Sequence, residues 1–530
     1  LPTLSLLIHR PLRVAITAMI SNKGITIVSC AALLLAGTVS RAAGPHRIYP
    51  DAVQREALGR IYDASYDRNP SMLSWWDYST WSTIGADGYV GKGSLHSPMA
   101  PDGRLGGKVG TRSVMHQENT GWSFSGKFEY GIETTDSLRS TLSYRRKPYG
   151  SPTMFFCIAP ARTWEIQNYT LGAAASKKLG DRWSWGAQID YVGWKQFRKS
   201  DVRNEQSALD IRLETGATAS LGGSLLSAGL IYERYKEKPQ FSKAFNSGAD
   251  YFIYLMTGLG TQMTGLENSP SWTQNVAGAY LDWSARGEAN RFSVKYSFKY
   301  GADHLKSEST QSSAYQETRT GYAFMSHALD VSDMLSLPGG GRLLFDADLY
   351  FTDGTGSGWN RTVSSFIDDY SAMLYGGSAM FGYYDSSNWL RKAGLSATAA
   401  GESRHDKNYD ATMDGLNLIS DAFVGFGFQS GNTDVNCDLD GGVSLWPYAE
   451  YDPNAARDGY NIYTTYIGMA EYAYMQAGQW HTGAGVCVEF PLRRTLVGLG
   501  AVLSYSRAIA DNVYKDRDYR SGRVYINICF

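Results

Sequence analysis

The last eight residues, Arg523-Val524-Tyr525-Ile526-Asn527-Ile528-Cys529-Phe530, alternate without a break. On an extended chain Val524, Ile526, Ile528 and Phe530 share one face, and Arg523, Tyr525, Asn527 and Cys529 share the other. The period recurs upstream. Phe292, Val294, Tyr296, Phe298 and Tyr300 interleave with Ser293, Lys295, Ser297 and Lys299, and Leu343, Phe345, Ala347, Leu349 and Phe351 run around Asp346 and Asp348. A chain built this way makes sheet with one apolar and one polar face.

Alternation alone fits two architectures. A soluble sandwich turns its apolar face inward, whereas a membrane barrel turns it toward lipid and its polar face toward the lumen. Many runs reach the roughly 9–11 residues that a tilted membrane strand needs, against about 5–6 for an average soluble strand. Short links at about 131–137, 178–182, 218–223, 285–290 and 491–495 alternate with long ones at about 85–121, 146–166, 236–274, 302–318, 353–391 and 507–521. Short periplasmic turns alternating with long outer loops belong to outer-membrane barrels and require an even strand number. The expectation is an all-β transmembrane antiparallel up-and-down barrel of about 16–18 strands over residues 72–530, with 14 not excluded. The tally is weakest between 353 and 476, where Gly376-Gly377-Ser378 and similar stretches blur the period. Trp, Tyr and Gly are abundant, as aromatic girdles demand, and no run of 18 apolar residues offers a helical span.

The N-terminus reads as an export signal. Lys23 precedes an apolar core from Ile25 to Val39, followed by Ser40-Arg41-Ala42-Ala43, which suits cleavage after Ala42. Residues 1–42 are thus expected to be removed, with Leu1 to Ala18 upstream of an initiator at Met19. That removes Arg10, Arg13, Lys23 and Arg41 and no acid, taking the formal net charge from −1 to −5. Such a balance gives no signal for nucleic acid. Residues 43–71 lack alternation; Asp51 to Ala64 has the spacing of a short amphipathic helix, and Asn69-Pro70-Ser71 ends it. This segment is a periplasmic arm, a plug or an unordered terminus.

Few motifs carry chemistry. Asn436-Cys-Asp438-Leu-Asp440-Gly441 matches half of a calcium loop, but its twelfth position is Pro447; alternate acids on a lumenal strand explain it better. Cys157, Cys437, Cys487 and Cys529 lie far apart and read as free thiols. Asp303-His304 and His405-Asp406 are the dipeptides that could serve a hydrolase, yet no nucleophile or zinc motif accompanies them. Asp511, Lys515, Asp516, Arg517, Asp518 and Arg520 mark a solvated loop, and Arg145, Arg146 and Lys147 open another. No catalytic, cofactor-binding or metal-binding residue is assigned, and an enzyme is not expected.

The alternation ending in Phe530 resembles the closing strand of bacterial outer-membrane barrels. In those proteins the last strand is read by the barrel-assembly machinery and pairs with the first. With Asn69-Pro70, the Trp- and Tyr-rich strands and Leu142-Ser-Tyr144-Arg-Arg146, the whole mature chain resembles the uncharacterised DUF6850 family of Bacteroidota outer-membrane barrels. The Asn-Pro is also similar to an Asn-Pro-Ala of long-chain fatty-acid channels, with Ser71 in place of Ala. The first resemblance implies the outer membrane of a Gram-negative cell, lipid contact, and a role as accessory to a TonB-dependent uptake system or partner of a surface lipoprotein. The leading expectation is a transport-type barrel with a lumen lined by Lys295, Lys299, Asp346 and Asp348. Behind it stand a surface-binding barrel with a blocked lumen and an outer-membrane hydrolase.

Overall fold

The computed structural model describes residues 69–530 except 76–79, 118, 139–147, 158–161, 199–202, 243–252, 261, 264–270, 288, 308–316, 361–364, 386–387, 455–462 and 493–494. The expected signal and the helix over 51–64 lie outside the described residues.

The chain forms strands β1 (Trp81–Gly93), β2 (Gly103–Gln117), β3 (Trp122–Leu138), β4 (Met154–Cys157), β5 (Arg162–Leu179), β6 (Trp183–Arg198) and β7 (Arg203–Leu221). It continues through β8 (Ser224–Ser242), β9 (Ile253–Met256), β10 (Gln262–Met263), β11 (Ser271–Arg286), β12 (Asn290–Ser307), β13 (Glu317–Ser336) and β14 (Arg342–Asn360). Then come β15 (Ser365–Tyr384), β16 (Leu390–Asp406), β17 (Ala411–Ser430), β18 (Thr433–Asp452), helix α1 (Met469–Met475), β19 (Gln479–Leu492), β20 (Thr495–Ala508) and β21 (Asp518–Cys529).

Eighteen of these strands form one antiparallel sheet, each paired with its neighbours in chain order once β4, β9 and β10 are set aside. The sheet closes where β1 meets β21, with Asp87 opposite Tyr525 and Thr83 opposite Cys529. Phe530 completes the seam: its amide donates to the Ser82 carbonyl at 2.9 Å, and the Ser82 amide donates back at 3.3 Å. Closure leaves no edge strand, which is what lets a sheet cross hydrocarbon.

The apolar face points out. Leu171, Ile189, Leu213, Leu230, Leu281, Phe298, Leu349, Leu395 and Leu503 are all exposed, while their strand neighbours turn inward. In β21, Val524 and Ile526 face out, and Arg523 reaches inward to Asp87 at 2.6 Å. This inverted alternation makes the sheet a transmembrane barrel rather than a sandwich. Tryptophan gathers at the short-turn end, where Trp183, Trp185, Trp283 and Trp389 are exposed and Trp389 stacks on Phe426 with centroids 5.5 Å apart. These rings, apolar with one polar N–H, suit an interface.

Several connections differ from the expectation. The link placed at 131–137 lies inside β3, whose alternation simply continues through Ile132. The loop placed at 85–121 contains most of β1 and all of β2; Gly-Gly-Lys-Val-Gly in β2 supplies too few side chains for the period to show. The loop at 353–391 contains the end of β14 and all of β15. There Gly376 and Gly377 fit against Tyr350 and Leu349 of β14, which take the space a Cβ would need. Residue 72, where the barrel is expected to start, falls in Pro70–Trp75, a 3-10 turn inside the barrel, and β1 begins at Trp81.

Among the described residues, segments enter the lumen from both ends. At the short-turn end sits that Pro70–Trp75 turn, buried against β3, β5, β6 and β7. At the long-loop end, β4, β9 and β10 form a three-stranded antiparallel sheet from two different loops. Phe156, Tyr254, Met256 and Leu259 pack there against Ala411 and Met413 of β17, Tyr451 of β18, and Tyr463, Ile467 and Met475 around α1. An 18-strand barrel is too wide to be filled by its own wall side chains, so inserted segments do the filling.

A chamber in the barrel lumen

The wedge at the short-turn end is held by small hydroxyls. Ser176 and Ser184 donate to the Ser71 carbonyl at 3.1 and 2.7 Å, the Ser71 hydroxyl meets Thr218 at 2.7 Å, and Trp75 Nε1 donates to Ser184 at 2.6 Å. Asn69 spans to the next wall, donating to Asp282 at 3.2 Å and accepting from Tyr280 at 3.1 Å. The Lys178 ammonium lies 4.7 Å from the Trp75 ring centroid. Hydroxyls, short and uncharged, let a backbone approach the wall closely while pairing its exposed carbonyls.

At the other end the β3–β5 loop reaches across the lumen. Tyr149 adopts φ 65°, unusual for a residue with a side chain. Its ring stacks on Phe324 at 4.3 Å, its hydroxyl donates to Glu233 at 2.8 Å, and Lys299 donates to it at 3.1 Å. Burial and the Glu233 carboxylate push the Tyr149 phenol far above its usual range, so it stays protonated and remains a donor. Tyr322 donates to the Tyr149 carbonyl at 2.7 Å, and Ser151 donates to Asp303. The Gly260 amide of the β8–β11 loop donates to the buried Asp406 at 2.8 Å. The roof is thus tied to the wall by polar anchors on β8, β12, β13 and β16.

Beneath this roof lies a chamber of about 590 Å³. Its wall is Tyr89, Arg104, Lys108, Glu129, Glu133, Thr135, Asn168, Trp194 and Gln196 on one side, with Tyr370, Glu402 and Arg404 opposite. Its cover is Ser97–Pro101, Gly150–Met154, Leu259, Tyr463 and Glu471. Each cation there has a carboxylate beside it. Lys108 meets Glu129 at 2.9 Å, Arg104 lies 4.0 Å from Glu133, Tyr89 donates to Glu133 at 2.6 Å, Arg404 pairs with Glu402, and Tyr463 donates to Glu471 at 3.2 Å.

Of the lumen residues expected from sequence, Lys295 and Lys299 do face inward, but not as free charges. Lys295 is buried 3.3 Å from Glu214 and 4.1 Å over the Tyr280 ring; Lys299 meets Glu233 at 2.7 Å. Asp348 accepts from Ser378. None of the four lines the chamber. The half calcium loop falls mid-strand in β18, with Asp438 3.2 Å from Lys392 and Asn436 and Asp440 on the same face. Among the described residues no group of three or more potential ligands could hold a metal ion.

Each Asp-His dipeptide lies on a strand, where adjacent side chains point to opposite faces. Asp303 faces inward to Ser151; His405 meets Asp410 at 3.3 Å near the rim, while Asp406 anchors the roof. Cys437, Cys487 and Cys529 are not joined in disulfides. In the Asp511–Arg520 stretch Lys515 pairs with Asp511 at 2.5 Å and Arg520 with Asp518 at 2.7 Å, while Asp516 pairs with Arg507 of β20 at 2.6 Å. Arg145, Arg146 and Lys147 lie outside the described residues. The chamber residues were missed because they come from strands and loops distant in sequence, and β2 carries two of them unseen.

Fold and lumen together define a transmembrane β-barrel with an internal chamber and obstructing segments on both sides of it. The chain belongs to DUF6850, a family of unknown function, whose sequence profile matches residues 70–530. No curated protein matches the sequence. Among solved structures it is similar to a mutant ferric enterobactin receptor (PfeA) of Pseudomonas aeruginosa, at 10% identity and TM-score 0.38 over 85% of this chain and 80% of that one. It is also similar to the ferric-catecholate import receptor Fiu of E. coli K12, at 8% identity and TM-score 0.37 over 86% and 82%. The copper transporter OprC gives 10% identity and TM-score 0.40 over 85% and 80%. Scores this low carry no inference about ligand or mechanism.

Proposed function

We propose that the protein is an outer-membrane transport barrel of a Gram-negative cell, exported with loss of residues 1–42, which admits a small solute to the chamber and releases it when the Asn69–Trp75 wedge moves. The observation that supports this is the chamber itself: a lined space of about 590 Å³ inside a barrel whose lumen is entered by chain segments from both ends. A barrel serving only as a surface scaffold has no need of such a space. The chamber's side chains have the convergent polar groups and aromatic faces of a small-ligand pocket rather than an acid–base pair aimed at a reacting atom.

In sequence the wedge follows directly on residues 43–68. A partner that grips that segment, such as an energy coupler of the TonB type or the receptor it serves, pulls on the gate through the chain itself. The alternative is a blocked, surface-binding barrel, favoured by the obstruction at both ends.

Solute entry into proteoliposomes separates the two. The transport reading expects slow entry with the intact mature protein and much faster entry with a variant lacking residues 43–75. No entry with either, from a protein that still folds as a barrel, leaves the surface-binding reading.

A further inference from the structure

Resting on that reading of the chamber, we infer that its ligand is an uncharged, polyhydroxylated solute of about the size of a disaccharide. The cations Arg104, Lys108 and Arg404 are each set beside a carboxylate of the same chamber, Glu133, Glu129 and Glu402. Glu471 accepts from Tyr463. A charged ligand would have to compete with the counter-charges already set beside these groups, most of all at the buried Arg404–Glu402 pair.

Two of the chamber's buried polar atoms without a hydrogen-bond partner are neutral. Thr135 Oγ1 and Gln196 Nε2 belong to residues that line the chamber, are each 2% exposed, and make no hydrogen bond. A buried donor left unpaired is expensive, and a ligand hydroxyl that reaches it recovers that cost. The two residues belong to adjacent rungs of one wall: Thr135 is opposite Trp164 on β5, and Gln196 is opposite Ile166, two positions along that strand. One strand, β5, lies between them, so they stand roughly 10 Å apart across the wall, a span within the length of a disaccharide.

Trp194, Tyr370 and Tyr463 add aromatic surface to the same space, and Asn168 and Tyr89 add further amide and hydroxyl groups. Flat apolar surfaces beside neutral hydrogen-bonding groups match the alternating C–H and O–H surfaces of a sugar ring. The volume falls within the roughly 300–1,000 Å³ of small-ligand pockets.

The test is titration calorimetry of the intact mature protein in a non-glycosidic detergent. The probes are maltose, cellobiose, lactose and sucrose, with cellobiouronic acid, chitosan disaccharide and the zwitterion Ala-Ala as charged counterparts. At least one neutral disaccharide is expected to bind at least tenfold more tightly than every charged probe. Gln196→Leu and Thr135→Val are each expected to weaken that binding roughly three- to tenfold, the range set by one hydrogen bond. Tryptophan fluorescence and thermal unfolding verify that both variants keep the barrel. Tighter binding of a charged probe, no neutral binding below 10 mM ligand, or unchanged neutral binding in both folded variants would each overturn the inference. Binding is read without passage, so a protein that binds sugar but never admits it sinks the transport reading alone.

Discussion

Gly186 of β6 is where the Pro70 backbone meets the barrel wall: a Cβ at Gly186 would lie 2.5 Å from the Pro70 carbonyl carbon and oxygen and 2.6 Å from Ser71 Cα. No side chain fits between them, and the contact is with backbone that cannot swing aside. The wedge is thus fitted to its seat by an absence, as glycine in a strand often permits close approach of another backbone.

Asn69 supplies the wedge's longest reach, to Tyr280 and Asp282 of β11 and back to the Ser71 amide at 3.1 Å. Asn69→Ala removes these contacts together with the bond from the Ser71 hydroxyl at 2.7 Å, all in a buried place, and is expected to weaken docking by about 1–3 kcal/mol. Limited proteolysis should then cut near residues 69–75 at least several times faster, with the barrel itself still resistant. An unchanged cleavage rate contradicts the seat described.

Glu214 holds two cations, Arg212 at 2.7 Å and the buried Lys295 at 3.3 Å. Glu214→Gln leaves Lys295 buried beside a neutral amide and is expected to cost about 3–5 kcal/mol in reversible unfolding from detergent or lipid. The double replacement Glu214→Gln with Lys295→Met should recover much of that loss. Equal losses in the single and double variants would mean that the pair is not coupled.

Leu230 and Val513 are similarly exposed, at 63% and 65%, but the first lies mid-strand on β8 and the second on the β20–β21 loop. Leu230→Arg places a charge in hydrocarbon and is expected to cost about 2–4 kcal/mol, whereas Val513→Arg in water should stay within about 0.5 kcal/mol. Refolding into lipid vesicles reads both. Similar costs would argue against a lipid-facing outer surface.

The barrel was legible in the sequence because its restraint is local: each strand must alternate, and β12, β14 and β21 show it residue by residue. Strands β2 and β15 hid because their glycines yield space to tyrosines and leucines on neighbouring strands, a relationship visible only once the register is known. The roof hid for a different reason. Met154-Phe-Phe156 and Tyr254-Leu-Met256 are short apolar runs in loops, and only their pairing across nearly a hundred residues turns them into a sheet. Lys295 and Lys299 were placed on the correct face, but their partners Glu214 and Glu233 lie on strands the pattern could not bring together.

The most direct test of the central claim, a chamber gated by the chain's own wedge, is single-channel conductance in planar bilayers of the intact mature protein beside Gly186→Leu. The leucine fills the seat from the wall side without altering the wedge or the outer face. The account predicts that the intact protein is nearly silent and that Gly186→Leu conducts, with weak preference between cations and anions because the lumen carries both signs in pairs. A wide conductance from the intact protein, or silence from a folded Gly186→Leu barrel, would contradict it.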